Sequence, residues 1–218
     1  KAGYNIKQKD CKYLLDIPED IDNWAKSIVS SFETEKVVTL APFAGWKQKE
    51  LNITNFLTLS SRLSSLNSTV IFIGSKSEAD KLRPYEDHFN FHILNYCGKT
   101  SLIHSAALIK HSDLFIGLDS SQSHFADALH TPSVVIFGPT NPIYHQIGSN
   151  PFVKVIYKQF NCSCHEHQKY CHENCFTFIC PESHQCMEAI SVDEVFDAAI
   201  NLLQSKVTER ANGDSVHA

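Results

Sequence analysis

The sequence lacks any run of about eighteen apolar residues, so it predicts no membrane-spanning helix. Basic residues are outnumbered, with 19 Lys and Arg against 24 Asp and Glu, and the net charge is −5. Because no basic face is evident that could neutralise a phosphate backbone, we expect no nucleic-acid partner. The chain begins Lys1-Ala2-Gly3, without an initiator Met or the apolar core of a signal peptide, and Met187 is its single methionine. We therefore expect a cytoplasmic protein, and a fragment or processed piece of a longer chain.

The composition itself is ordinary for a globular protein. Of the 218 residues, 43% are hydrophobic and 20% are charged, which allows one large domain or two small ones. No internal repeat or low-complexity linker interrupts the chain. The pattern predicts a connecting segment and helix at 1–34, a main domain at 35–160, a Cys-rich segment at 161–187, and a C-terminal helix and tail at 188–218.

Short apolar runs rich in β-branched residues alternate with stretches of helical periodicity. Strands are predicted at residues 37–40, 69–73, 91–94, 114–116 and 133–137, with a last one at 153–157. Helices are predicted at 19–32, 52–66, 101–110, between the fourth and fifth strands, and at 191–203, with a short one near Glu78 and a frayed polar tail from Gln204. This alternation is typical of an α/β fold with a Rossmann-like, doubly wound parallel sheet.

One strand–helix–strand unit, at residues 112–142, carries polar residues at the carboxyl ends of its strands. Asp119, Ser120 and Ser121 directly follow the first strand and begin the next helix. Backbone N–H groups at a helix N-terminus, with the positive end of the helix dipole, form a site for phosphate. The second strand ends in Gly138-Pro139-Thr140, which opens onto the same edge of the sheet. Alternatively, Asp119 or Ser120 only caps the helix.

Six of the eight cysteines lie close together and are interleaved with histidines. The six are Cys162, Cys164, Cys171, Cys175, Cys180 and Cys186. Such a segment is either a metal-bound finger, holding zinc or iron, or a loop stapled by disulfides. Because the chain has no secretion signal and reducing compartments disfavour disulfides, the metal is the preferred interpretation.

Four motifs give the chain a resemblance to a known family. They are Gly98-Lys99-Thr100-Ser101-Leu102, Asp119-Ser120-Ser121-Gln122-Ser123-His124, Phe137-Gly138-Pro139-Thr140-Asn141-Pro142, and the stretch from Cys180-Pro181 to Cys186-Met187. In order and spacing these resemble glycosyltransferase family 9, the ADP-heptose heptosyltransferases of lipopolysaccharide synthesis, over roughly residues 35–200. The resemblance is to their C-terminal half, and it implies one half of a GT-B type glycosyltransferase.

The resemblance also implies a set of donor-binding residues. By it, Lys49 meets the diphosphate, Glu78 reaches the sugar portion, and the loop Thr100-Ser101-Leu102 lies near the base. The remaining implied donor-binding residues are Asp119, Ser120, Ser121, His124, Gly138 and Thr140. The alternatives are that Lys49 is a solvated surface lysine, that Glu78 is an ordinary helix-terminal carboxylate, and that His124 is a packed core histidine. Because Lys49 and Asp119 lie on loops, we expect Ala at either position to lower donor affinity with little loss of stability.

The function that the resemblance implies is inverting transfer of a sugar, ADP-heptose being the expected donor, to a lipopolysaccharide core or a protein. The resemblance implies that the catalytic base lies in an N-terminal acceptor domain outside this chain, so no base is named, and that no cofactor is required for the chemistry. When the acceptor is lipid-linked, the enzyme would work peripherally at the inner membrane.

The Cys-rich insert resembles the iron-binding finger of autotransporter heptosyltransferases, which implies Cys162, Cys164, Cys180 and Cys186 as ligands. Two departures from the family pattern are Ser121 and Phe43, where Gly is common. Ser121 favours one alternative, a non-catalytic sugar-nucleotide-binding module. A further alternative is a structural or assembly protein in which the finger mediates contacts.

Overall fold

The computed structural model describes residues 15–90, 92–143, 150–160, 180 and 183–213, the last eight of these by their backbone. A six-stranded, fully parallel sheet forms the centre of the described part, in the order β3-β2-β1-β4-β5-β6. Its strands are β1 (Lys36–Ala41), β2 (Ser68–Phe72), β3 (Ile93–Asn95), β4 (Leu114–Leu118), β5 (Ser133–Phe137) and β6 (Val153–Tyr157). This is the strand order of the Rossmann fold, as the alternation in the sequence predicts.

Helices cover both faces of this sheet. They are α1 (Glu19–Ser30), α2 (Ile53–Ser64), α3 (Lys76–Leu82), α4 (Leu102–His111), α5 (Ser121–Ala128), α6 (Gln185–Glu188) and α7 (Val192–Gly213), with 3₁₀ turns at Lys47–Lys49 and Arg83–His88. Within the described residues, no helix is both long enough and apolar enough to cross a membrane.

The central strands are apolar almost throughout because both of their faces are buried. Leu40 and Ile116 point to one face, where α2, α6 and α7 cover them. Ile71 and Phe115 point to the other, where they pack with α1, α4 and α5. The period of two along each strand therefore divides the hydrophobic core into two layers.

Helix α1 is fixed to α4 by charge and by ring packing. Asp22 accepts hydrogen bonds from Lys110 and His111, both at 2.9 Å. The Lys110 hydrogen bond is the largest of the contacts that lower the pKa of Asp22. Trp24 meets the His104 ring edge-on, with the ring centroids 4.8 Å apart. The predicted connecting helix is thus part of the domain's packing.

Two boundaries differ from the prediction. Strand β3 has three residues and begins at Ile93, later than expected. Helix α7 was predicted to end at Leu203, with a frayed tail from Gln204. In the structure the helix continues to Gly213, ten residues further. Leu203 is buried, and the prediction ended the helix there because the apolar pattern of the sequence weakens after this residue.

Candidate functional site

A crevice of about 470 Å³ opens at the carboxyl edge of the sheet. It lies beside the junction of β1 and β4, where the strand order reverses and where open α/β sheets bind ligands. Its volume falls in the range of small-molecule sites, about 300–1,000 Å³. The lining residues follow β1, β2, β3 and β4: Phe43, Ala44, Gly45, Gly74, Ser75, Glu78, Thr100, Leu102, Ser105, Ser120, Ser121 and Gln122.

The first turn of α5 forms one wall of this crevice. The helix begins at Ser121, and Ser120 is its N-cap residue, with its backbone N–H donating to Ser123 Oγ at 3.3 Å. The hydroxyls of Ser120 and Ser121 both donate to Gln122 Oε1, at 3.0 and 3.1 Å. The positive end of α5 therefore lies at the crevice, and phosphate binding there stays a prediction.

Asp119 lies at the centre of a buried polar cluster. Its Oδ2 accepts a hydrogen bond from Lys49 Nζ at 2.6 Å and another from Thr140 Oγ1 at 2.7 Å. The side chains of Asp119 and Lys49 are only 4% and 12% exposed. Lys49 is therefore not a solvated surface lysine, and Asp119 is not the helix cap.

This cluster joins the loops after β1, β4 and β5, and none of its three residues is among those that line the crevice. Removing Asp119 would leave a half-buried ammonium without its counter-ion. The expectation that Ala at position 119 or 49 costs little stability is corrected by this geometry, because the two residues lie on loops but form a buried ion pair.

Glu78 lines the crevice and also caps α3. Its Oε2 accepts a hydrogen bond from the Ser75 backbone N–H at 2.6 Å, in a capping box. A Cβ on Gly74 would lie 2.6 Å from that oxygen, so glycine leaves room for the carboxylate. Behind it, burial and then the nearby Glu78 charge raise the pKa of Cys97 to about 12. Both interpretations of Glu78 thus have a structural basis.

The loop after β3 closes the opposite end of the crevice. Thr100 Oγ1 hydrogen-bonds to Ser105 Oγ at 2.8 Å, and both residues line the crevice. Leu102, also a lining residue, is 63% exposed. Ser101 is the N-cap of α4 and accepts from the His104 backbone N–H. An exposed leucine beside a crevice offers an apolar surface to a flat base.

Two of the expected donor-binding residues lie elsewhere. His124 is exposed on α5 and does not line the crevice, so it is not a packed core histidine. Gly138 is buried under α6, and a Cβ there would lie 2.1 Å from Met187 Sδ. Gly138 therefore allows close packing, and a donor contact by either residue stays a prediction.

Several lining residues were not assigned to the site from the sequence, namely Phe43, Ala44, Gly45, Gly74, Ser75, Ser105 and Gln122. The loops that contain most of them were identified, but which side chain of a loop faces a crevice depends on the turn's backbone. Gln122 lies inside the Asp119–His124 motif, so membership of that motif was the signal that could have assigned it to the site.

The expected metal ligands are only partly within the described residues. Cys162 and Cys164 lie outside them. Cys180 is not in a disulfide, and its Sγ accepts from the His184 backbone N–H at 3.4 Å. His184 Nε2 is buried and has no hydrogen-bond partner among the described residues. In that part of the chain, no three His, Cys, Asp or Glu side chains converge as a metal site would require.

Comparison with known proteins adds the family. The model of glycosyltransferase family 9 (heptosyltransferase) matches residues 3–176. Lipopolysaccharide heptosyltransferase 3 of Escherichia coli is 40% identical over 57 residues, which are 26% of this chain and 17% of that protein.

Solved structures resemble the chain over most of its length. The E. coli ADP-heptose LPS heptosyltransferase II structure has a TM-score of 0.69 and 19% identity, covering 88% of this chain and 54% of that one. The iron-containing dodecameric glycosyltransferase TibC of enterotoxigenic E. coli H10407 has a TM-score of 0.58 and 21% identity, covering 78% and 45%. A TibC structure is also known in complex with ADP-D-β-D-heptose.

This chain therefore spans about half the length of the structures that it matches. The likeness confirms the α/β fold, with the parallel sheet as one Rossmann-like half of a GT-B type architecture. Because the family model covers most of the sequence, the chain belongs to glycosyltransferase family 9, the heptosyltransferases.

Proposed function

We propose that this chain is the donor-binding half of a glycosyltransferase and that it binds a nucleotide-diphosphate sugar, ADP-heptose, in the crevice at the carboxyl edge of the sheet. The observation that carries the proposal is the position of that crevice, which combines the strand-order reversal with the start of α5. Family membership supports it, as does the ADP-D-β-D-heptose complex of TibC.

The chemistry of the walls supports one orientation of the donor. The diphosphate would lie at the start of α5, where backbone N–H groups and the helix dipole favour an anion. The base would pack on Leu102, which is exposed at the other end, with Thr100 and Ser105 beside it. Glu78, the carboxylate between them, would accept hydrogen bonds from sugar hydroxyls.

Lys49 would act on the diphosphate through the field of its charge or after leaving Asp119. Its ammonium is bound to Asp119 Oδ2 at 2.6 Å. Asp119 would therefore fix the position of Lys49 beside the crevice. A contact between Lys49 and the donor would therefore exchange one ion pair for another.

Transfer itself needs more than this half. Inverting displacement requires a base on the acceptor hydroxyl, and we propose that an N-terminal acceptor domain supplies it. The acceptor would be a lipopolysaccharide core or a protein, and the reaction would take place in the cytoplasm, at the inner membrane for a lipid-linked acceptor. We expect no cofactor for this chemistry, because the backbone N–H groups at the start of α5 and the charge of Lys49 would stabilise the leaving diphosphate.

Calorimetric titration of the chain with ADP and with ADP-heptose tests donor binding without the second domain. We expect both to bind, the sugar nucleotide more tightly. Binding of neither would reject the proposal. The chain would then be joined to an acceptor domain and assayed for sugar transfer, with wild-type and Asp119→Asn donor halves compared. Transfer by the wild-type protein would indicate a transferase, and binding without transfer would indicate a module that only binds.

We further propose a structural metal, zinc or iron, in the Cys-rich segment, with Cys180 and Cys186 among its ligands. The buried, unpartnered Nε2 of His184, beside Cys180, supports a polar centre there, and TibC contains iron. Elemental analysis should give about one metal per chain, lost in Cys180→Ser. If the protein contained no metal and its free-thiol count were two or four below the eight cysteines of the sequence, disulfides would be indicated instead.

A further inference from the structure

Gln122 lines the crevice at the second position of α5, and the sequence assigned no role to it. Its side-chain oxygen, Oε1, accepts two hydrogen bonds, one from Ser120 Oγ at 3.0 Å and one from Ser121 Oγ at 3.1 Å. Two hydroxyls on consecutive residues therefore hold one end of the amide. The rotation of the Gln122 side chain is fixed by its own helix turn.

This arrangement decides which groups can donate to a ligand. Each serine hydroxyl has one proton, and both protons are directed at Gln122 Oε1. The opposite end of the amide, Nε2, has two N–H donors, and no acceptor for them is found among the described residues. Among the three crevice-lining side chains at the start of α5, Gln122 is therefore the one whose N–H donors are not already used in a hydrogen bond.

The charge of the crevice makes such donors important. Among the described residues that line it, the single charged side chain is Glu78, whose sign is wrong for a diphosphate. Lys49 is not among the lining residues, and its ammonium is paired with Asp119. At the crevice wall itself, the groups that can donate to an anion are therefore neutral, namely backbone N–H groups and side-chain amides.

We propose that Gln122 Nε2 donates to the diphosphate of the nucleotide sugar, and that Ser120 and Ser121 orient this amide and do not themselves donate to phosphate. The inference rests on the proposed function, since it assigns a specificity-determining residue to the same crevice. It also changes the role of the two serines, which the family resemblance places around phosphate and sugar.

The test compares ADP and adenosine binding by calorimetry in wild type and four variants. Gln122→Met keeps the length of the side chain but removes the amide, and Gln122→Glu replaces the donors with a carboxylate. Gln185→Met is the matched control, because Gln185 is an exposed glutamine at the start of α6, outside the crevice. Ser121→Ala removes one of the orienting hydroxyls.

Because a hydrogen bond to a charged group is worth about 1.5–3 kcal/mol when buried and less at a half-exposed site, Gln122→Met should weaken ADP about tenfold. Adenosine affinity should stay unchanged. Gln122→Glu should weaken ADP further, by a factor that falls at high salt, since the added carboxylate repels the diphosphate. Ser121→Ala should weaken ADP less than Gln122→Met, and Gln185→Met should have no effect.

Three results would overturn the inference. Equal ADP affinity of wild type and Gln122→Met would remove the contact, provided that wild type binds. If Gln122→Met weakened ADP and adenosine binding by the same factor, Gln122 would contact the nucleoside and not the diphosphate. That result is expected if the positions of Oε1 and Nε2 are exchanged, so that the amide presents its oxygen to the ligand. A larger loss for Ser121→Ala than for Gln122→Met would return the phosphate contact to the serines. If wild type binds neither ligand, the donor crevice and the Gln122 role are both rejected.

Discussion

Replacing Asp119 by Ala should destabilise the protein far more than a loop substitution normally does. The change leaves the Lys49 ammonium, 12% exposed, without its counter-ion, and the Thr140 hydroxyl without its acceptor. Breaking a buried pair by removing one partner costs about 3–5 kcal/mol, and since Lys49 retains some solvent we expect about 3 kcal/mol. Typical domain stabilities of about 5–15 kcal/mol mean that the variant still folds.

The physical cause can be isolated by a double-mutant cycle. Lys49→Met alone should cost about 2 kcal/mol, because it leaves the buried Asp119 carboxylate with Thr140 but without its counter-ion. If the unpaired charge accounts for most of each loss, the double variant should cost only about 2 kcal/mol in place of about 5, giving a coupling of about 3 kcal/mol between the two positions. Urea unfolding followed by circular dichroism measures each free energy, with equal m-values as the check on two-state behaviour.

The control for this cycle is Asp80→Ala, which breaks the pair with Arg83 on the surface, where the two side chains are 61% and 72% exposed. It should change the free energy of unfolding by less than about 1 kcal/mol. Additive effects of the Lys49 and Asp119 substitutions, within about 0.5 kcal/mol, would refute the reasoning, because residues in one ion pair must couple.

Three further predictions concern residues other than the Lys49–Asp119 pair. Cys97, with its pKa raised to about 12, should not react with a thiol reagent at about pH 8 in the native protein. Cys97→Ala should therefore leave the native thiol count unchanged and lower the denatured count by one. Asp22→Asn should cost up to about 1 kcal/mol at neutral pH, because α1 loses its contacts with α4. Since the folded pKa of Asp22 is lowered, this contribution is present above its unfolded value of about 3.9 and is lost as the pH falls through the folded pKa. The free energies of unfolding of wild type and Asp22→Asn, measured by urea titration, should therefore converge as the pH falls below the folded pKa of Asp22. A difference that stays constant with pH would contradict the assignment. Gly98→Ala should destabilise by about 1–2 kcal/mol, since Gly98 has a φ of +71°, and an unchanged melting temperature would argue against strain at that position.

Much of the fold could be predicted because its signals are local. The runs that became β2 and β5 are apolar and β-branched, and helices α2 and α4 show clear periodicity with polar caps at Asn52 and Ser101. Strand β3 was less certain because three residues carry little pattern. The end of α7 was missed because the apolar pattern of the sequence weakens after Leu203, whereas the helix continues to Gly213.

The candidate site divides in the same way. The loops at the carboxyl edge were identified from strand ends, and Glu78, Thr100, Leu102, Ser120 and Ser121 do line the crevice. Donor contacts by these residues remain proposals. The sequence could not place Phe43 in the wall, because which side chain of a loop faces a cavity depends on backbone angles that local pattern does not encode. Gln122 was missed because the position of the first turn of α5 relative to the other loops depends on the packing of the whole sheet.

By itself, the sequence determined the alternating parallel fold, the edge of the sheet at which the crevice lies and the family, because periodicity and motif spacing are properties of neighbouring residues along the chain. Only the tertiary structure decided that Lys49 is half-buried against Asp119, that Thr140 joins them, and that Gln122 has donors free while its serine neighbours do not. Lys49 and Asp119 are 70 positions apart, and their pairing arises from the adjacency of β1 and β4 in the sheet. Charges that are independent on a linear chain become one buried unit when parallel strands bring their carboxyl ends together.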